Sequence, residues 1–328
     1  MSNENSILKY ESGVVPTSMS ALSDSGDRTN FTSDASLFSE SSGNAPDIRP
    51  DGLLTGGVVV PGVSGSNDVV DIASLTCYLA GVNTSVTAST DEAIARPATA
   101  VAKTLSIQIT SAGAISVVEG TDAADTTFLE TRGTGAGQIP YILVGSIEIA
   151  QVRLLSDTAA PITSAEIFQT IGTHLEKSDF PVYTADNASG EVNFDVALPA
   201  SHTGDVAKGV FASYAEPVFT EQPFANDFVP SETSFSVSSE QVYGAVIGSS
   251  SSSLGQGSFT AFLTNGITDN IITRKGENLW FQYFQDRNKL PHILTQGKLG
   301  VTRAFGASDN PSVACTISSS VESVERAA

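Results

Sequence analysis

The sequence predicts a mainly β protein: a β-sandwich or barrel with one flanking α-helix over 163–177 and long extended arms and loops. Three observations predict it. Charged residues make up 16% of the 328-residue chain, below the usual share of about a quarter. Ser, Thr, Gly, Ala and Val take their place, which favours strands and turns. Second, Lys103 to Thr110 and Glu191 to Leu198 alternate apolar and polar residues, the mark of half-buried strands. Third, Ser258 to Phe305 packs strand candidates closely, among them the aromatic run Leu279-Trp280-Phe281-Gln282-Tyr283-Phe284.

Taken in order, residues 1–50 read as an N-terminal extended arm. They are polar, with scattered anchors such as Tyr10, Phe31 and Phe38, and no period holds long enough to build a core. Residues 51–328 read as the β domain, with an insertion or a duplicated half within 60–160. Strands are expected at Gly56–Gly62 and Asp71–Gly81, and a loop over 83–102. Lys103–Thr110 turns into Ala114–Val118. Arg132 to Gln138 is a flexible glycine-rich loop, since its spacing is not that of a phosphate cradle. Tyr141–Leu155 reads as one strand whose apolar phase changes at Ile149-Ala150, which predicts a β-bulge there.

The helix is predicted from Thr163-Ser164-Ala165-Glu166, a capping box after Pro161. Ile167, Phe168, Ile171 and Leu175 then share a face, and the isolated His174 falls on the polar side. Glu191–Leu198 is expected to bury Val192, Phe194, Val196 and Leu198. Prolines 217, 223 and 230 argue against a central strand from Val210 to Pro230. Its aromatics Phe211, Tyr214, Phe219, Phe224 and Phe228 therefore read as anchors, either of a loop on its own core or of an arm gripping a neighbour. Ser249–Ser253 reads as a flexible loop. Asn265-Gly266 predicts a hairpin turn. Cys315, between Val313 and Ile317, is expected to be buried.

The formal net charge is −20, which disfavours nucleic-acid and anionic-membrane binding. Against it, Arg274, Lys275, Arg287, Lys289, Lys298 and Arg303 face only Glu277 and Asp286 between 271 and 303, a local balance of +4. That cluster reads either as a mixed solvated face or as a basic patch between subunits. The chain has neither signal-peptide character at its start nor an apolar run of membrane length. It is expected to be soluble, with no membrane partner. There is no hydrolase elbow, zinc-protease helix, Cys-x-x-Cys pair or P-loop, so neither catalysis, metal nor cofactor is expected.

The block Pro230 to Val237, then Gln241-Val242-Tyr243-Gly244, Asn265-Gly266, Trp280 and Gln296 to Val301, resembles the major tail (tail tube) protein of long-tailed bacteriophages with non-contractile tails. The resemblance is clearest from about Val210 onward. It implies a structural virion protein, made in the host cytoplasm and located in the virion tail. Such subunits close a ring, usually a hexamer and alternatively a trimer of duplicated domains. The rings stack into a tube through which DNA passes without specific binding. Tail terminator, tail tip and tape measure proteins are the further implied partners. Glu148, Glu191 and Asp195 are the candidate lumen-facing acids. Competing readings are a capsid or decoration subunit, and a glycan-binding or glycan-cleaving β protein.

Overall fold

The computed structural model describes residues 5–170, 182–243, 245–264, 266–306 and 311–327. Strands dominate, and among the described residues three large bodies of core and a smaller one can be followed.

The largest sheet has nine strands. In spatial order they are Ala225–Val229, Gly257–Phe262, Ser312–Ser318, His292–Ala304, Asn278–Phe284, Ile7–Ala21, Val210–Glu221 and Asp47–Pro50, with Val324–Arg326 added beside His292–Ala304. Its core gathers Leu8, Tyr10, Phe259, Leu279, Phe281, Leu299, Val313, Cys315 and Ile317. The sheet curls: Phe228 stacks on Tyr283 at 4.9 Å, which brings the edge strand Ala225–Val229 back onto Asn278–Phe284, not its neighbour in the strand order.

The expected N-terminal arm is therefore integral. Ile7–Ala21 is a fifteen-residue strand hydrogen-bonded to Asn278–Phe284 on one side and Val210–Glu221 on the other. Long-range pairing supplies what its own irregular pattern lacked. Val210–Glu221, read as proline-broken, is a twelve-residue strand. It tolerates Pro217 because Asp47–Pro50 runs beside residues 210–213 alone, so Pro217 faces a strand on one side, opposite Val14.

A four-stranded sheet of Tyr183–Asp186, Glu191–Phe194, Asn30–Thr32 and Ser23–Asp24 covers the far end of the large sheet. There Phe31, Phe38, Val192, Phe194 and Leu198 pack on Ile48, Val210, Ala212 and Tyr214. Val196, expected inside, is exposed, because the strand ends at Phe194 and the chain bends at residues 195–196.

Residues 53–162 supply every buried member of another core cluster, centred on Leu105, Ile107, Ile109, Ile149, Val152 and Leu154. Residues 83–102, read as a loop, contribute the strands Val82–Val86 and Ser89–Ala93. Lys103–Ile109 is buried along its whole length, not on one face. Its polar side is covered, since Gln108 donates to the Tyr141 carbonyl at 3.0 Å and accepts from the Leu143 N–H at 3.0 Å. The bulge lies where the phase change placed it: pairing steps from Ala150 opposite Ile107 to Glu148 opposite Gln108, leaving Ile149 over.

The helix over 163–177 is corrected. Thr163 and Glu166 do form the capping box, with the Thr163 N–H on the Glu166 carboxylate at 2.7 Å. The box closes one 3-10 turn, Ser164–Glu166, and Ile167–Gln169 then pairs as a strand with Ala150–Val152. An edge strand offered three ladder positions, which the local cap cannot match. Ile171, His174, Leu175 and Lys177 lie outside the described residues. The Asn265-Gly266 hairpin is also corrected. Asp269 accepts the N–H groups of Thr264 and Gly266, and a short helix, Asn270–Thr273, follows instead of a returning strand. Asn265 itself is outside the described residues.

Candidate functional site

One element stands apart from these cores. Thr233–Val242 and Ala245–Leu254 pair with each other over ten positions and form a two-stranded sheet of their own. This ribbon prolongs the edge hairpin of the large sheet, for Ala225–Val229 leads into it and Gly257–Phe262 leads out. Ten residues extend about 33 Å from the body at strand rise.

Alternation gives the ribbon two different faces. Ser234, Ser236 and Ser238 stand opposite Ser253, Ser251 and Ser249, with hydroxyl separations of 3.1, 2.7 and 2.7 Å. The other face carries Phe235 and Val237, which are 79% and 80% exposed. The serine run read as a flexible loop is thus a strand, pinned in register by cross-strand hydroxyl pairs. The signal was present in the sequence: alternate serines lie symmetrically about Tyr243-Gly244, at 234/253, 236/251 and 238/249.

An isolated two-stranded hairpin is marginal in water. Its outer edges display unpaired N–H and C=O groups, the template for adding strands. Residues 233–254 carry a single charge, Glu240, in a chain of net charge −20. Two copies of so acidic a chain repel each other least where charge is sparse. Chemically the ribbon is suited to strand addition and apolar contact.

The other expected site residues fall elsewhere. Glu148 does not face an open surface: it is fully buried in the core of residues 53–162. There it accepts both Arg132 guanidinium nitrogens, at 3.1 and 2.5 Å, Ser106 Oγ at 2.5 Å and Gln151 Nε2 at 3.1 Å. Glu191 is half-buried and Asp195 exposed, both in the four-stranded sheet region. The three acids share no face.

The basic cluster divides. Arg274, Lys275, Lys298 and Arg303 lie near one end of the Asn278–Phe284 strand, and Arg287 and Lys289 near the other, about 20 Å away at strand rise. Four of them are already engaged. Arg274 pairs with Glu277 at 3.1 Å, Arg287 with Glu221 at 3.6 Å and Lys289 with Asp286 at 3.7 Å, and Arg303 donates to the Gly266 carbonyl at 3.0 Å.

Of the aromatic anchors, Tyr214 packs on Phe38, Phe228 on Tyr283, and Phe219 against Trp280 and Leu294. Phe211 is half-buried in its strand; Phe224 is exposed. Apart from Phe224 these residues serve the subunit's own packing. The glycine-rich Arg132–Gln138 loop is ordered by Gln138, whose Oε1 accepts the Gly135 N–H at 2.8 Å. A Cβ at Gly133 would lie 2.1 Å from that oxygen, so a side chain there would displace the Gln138 amide.

One buried acid marks the passage between two cores. Asp51 follows the strand Asp47–Pro50 and precedes Gly52–Gly56. Burial pushes its carboxyl up to about 7, against the N–H groups of Ala80 and Gly81 and the charge of Lys208, which favour the anion. A carboxyl raised in the fold is most stabilising while protonated. Stability is therefore full below about pH 4 and declines as pH rises towards 7. Asp51→Asn should flatten that decline and raise the melting temperature at pH 8. Parallel melting curves of both proteins from pH 4 to 8 check this, and identical slopes would contradict it.

No helix among the described residues is long and apolar enough to cross a membrane. Comparison with family models, curated sequences and solved structures finds no match, so the class of protein rests on these residues alone.

Proposed function

We propose that this chain is a self-assembling structural subunit whose partner is a further copy of itself, and that the assembly is a tail tube of the phage type. The observation that carries the reading is the ribbon: ten paired positions, two free edges, the exposed apolar side chains Phe235 and Val237 on one face, and a single charge. Burial of Phe235 and Val237 against a neighbour contributes about 3 to 5 kcal/mol for the pair. Paired edge hydrogen bonds add about 1 kcal/mol each.

The tube reading adds the acidic balance to this. DNA moves freely past a wall that lacks basic groups, because cations would hold phosphate with release of counterions. Rings in the virion tail, with terminator, tip and tape measure proteins at either end, follow from the resemblance of the 210–328 region. The ribbon lies outside the large sheet, so on this reading copies meet at the ribbon.

Sedimentation velocity against concentration tests the reading. Self-assembly predicts a 34.0 kDa species at high dilution that gives way to one discrete larger ring mass, then to longer stacks. A subunit that stays monomeric up to millimolar concentration would contradict it.

A further inference from the structure

We propose that the ribbon tip of one copy seats in a cavity beside the ribbon base of the next, so that copies join head to tail. This rests on the self-assembly reading and adds the identity of the two contacting sites. The tip residue Tyr243 is fully exposed, at 109% relative accessibility. A cavity of about 630 Å³ opens between Tyr283, Pro291, His292, Ile293, Arg326 and Ala327. A neighbouring hollow that includes Glu232 and Thr233, where the ribbon begins, shares Ile293 and Glu325 with it. The cavity is thus at the ribbon's base, while the tip is ten residues, about 33 Å, away. A ribbon cannot fill the cavity of its own chain.

The walls suit an aromatic guest. Phe228 stacks behind Tyr283 at 4.9 Å, and Phe284 stacks behind His292 at 4.7 Å, with the Lys9 ammonium 5.0 Å from the Phe284 ring. The guest's neighbours on either side are held, so little order is lost when it enters. Glu325 and Arg326 offer the tyrosine hydroxyl both an acceptor and a donor, the apolar body and polar tip being what such a residue needs. Within the cavity Glu325 and Arg326 cancel and the ribbon brings Glu240 alone, while Glu232 and Glu322 line the hollow beside it. Tip and cavity are different surfaces. Their contact is heterologous, and repetition gives a closed ring or an open fibre.

Two full-length variants test it. Tyr243→Glu spoils the tip and keeps the cavity; Ala327→Trp plugs the cavity and keeps the tip. Arg326→Glu is a second cavity variant that adds no bulk, and circular dichroism checks that each folds. Each variant alone is expected to remain monomeric at tenfold the concentration at which the unsubstituted chain assembles. Mixed in equal amounts, Tyr243→Glu and Ala327→Trp should form a 1:1 dimer and nothing larger, because one intact tip then meets one intact cavity. Normal assembly of both cavity variants would overturn the proposal. So would an unsubstituted chain that stops at a dimer, since a heterologous contact leaves one tip and one cavity free to continue. An unsubstituted chain that never associates would remove the self-assembly reading itself, and this inference with it.

Discussion

Replacing residues 233–254 by an Asn-Gly turn between Glu232 and Gly255 is expected to leave a folded monomer that no longer assembles. Among the described residues, the ribbon contributes none to a buried hydrophobic cluster. Its ties to the body at the base are few, such as the Thr233 N–H on the Glu322 carboxylate at 3.1 Å and the Gly255 N–H on the Glu232 carbonyl at 2.9 Å. The Glu232–Gly255 pairing is where the new turn would close. Loss of exposed side chains away from any core changes stability by no more than about 0.5 kcal/mol, a shift of about 2 °C in melting temperature. The effect on association is far larger. The 3 to 5 kcal/mol assigned to Phe235 and Val237 alone is more than a hundredfold in each contact's dissociation constant, and edge pairing is lost with it. Sedimentation and melting of the shortened chain check both halves. A marked fall in stability would show that the ribbon is part of the subunit's own fold.

The second large effect lies inside the subunit. Arg132→Ala should destabilise the region of residues 53–162 by about 3 to 5 kcal/mol. Glu148 is fully buried, and the guanidinium is its cationic partner through two bonds of 3.1 and 2.5 Å. Ser106 and Gln151 remain as donors after the change, at 2.5 and 3.1 Å, and cannot neutralise the charge. Arg132 also donates to the Pro140 carbonyl at 2.8 Å, so the glycine-rich loop loses its clamp too. Adding Glu148→Gln to Arg132→Ala should recover more than half of the loss, since a neutral amide asks no counter-charge. Urea unfolding followed by far-ultraviolet circular dichroism measures both. A cost under about 1 kcal/mol for Arg132→Ala would contradict this expectation.

Much of the β character was legible wherever one side chain set faced a core. Leu105, Ile107 and Ile109 announced their strand, and the apolar phase change announced the bulge at Ile149. What escaped was pairing that depends on distant residues. Ile7–Ala21 has no useful period because both its neighbours, Asn278–Phe284 and Val210–Glu221, come from more than 180 residues away. Pro217 was read as a break, yet a strand paired on one side accommodates it. The capping box at Thr163 was a true local signal, outweighed within one turn by the free edge of Ile147–Leu154.

The candidate site was harder to see than the fold. Charges drew attention, but charged residues here mostly answer one another: Arg132 with Glu148, Arg274 with Glu277, Arg287 with Glu221. Nothing about Glu148 or Glu11 in sequence announced a buried carboxyl. Glu11 is nevertheless enclosed, its acid strength reduced by burial, with Ser39 Oγ and the Trp280 N–H as donors. The ribbon was hidden for the opposite reason. A strand rich in serine lacks the apolar alternation that signals burial, and among the described residues this ribbon pairs only with itself, apart from the other sheets.

Negative-stain images of the intact chain beside the shortened one, at a concentration well above the onset of association, test the central claim most directly. The account predicts rings or tubes of constant width with an open centre from the intact chain, and scattered single subunits from the chain without residues 233–254. Single subunits from both, or the same rings from both, would contradict it.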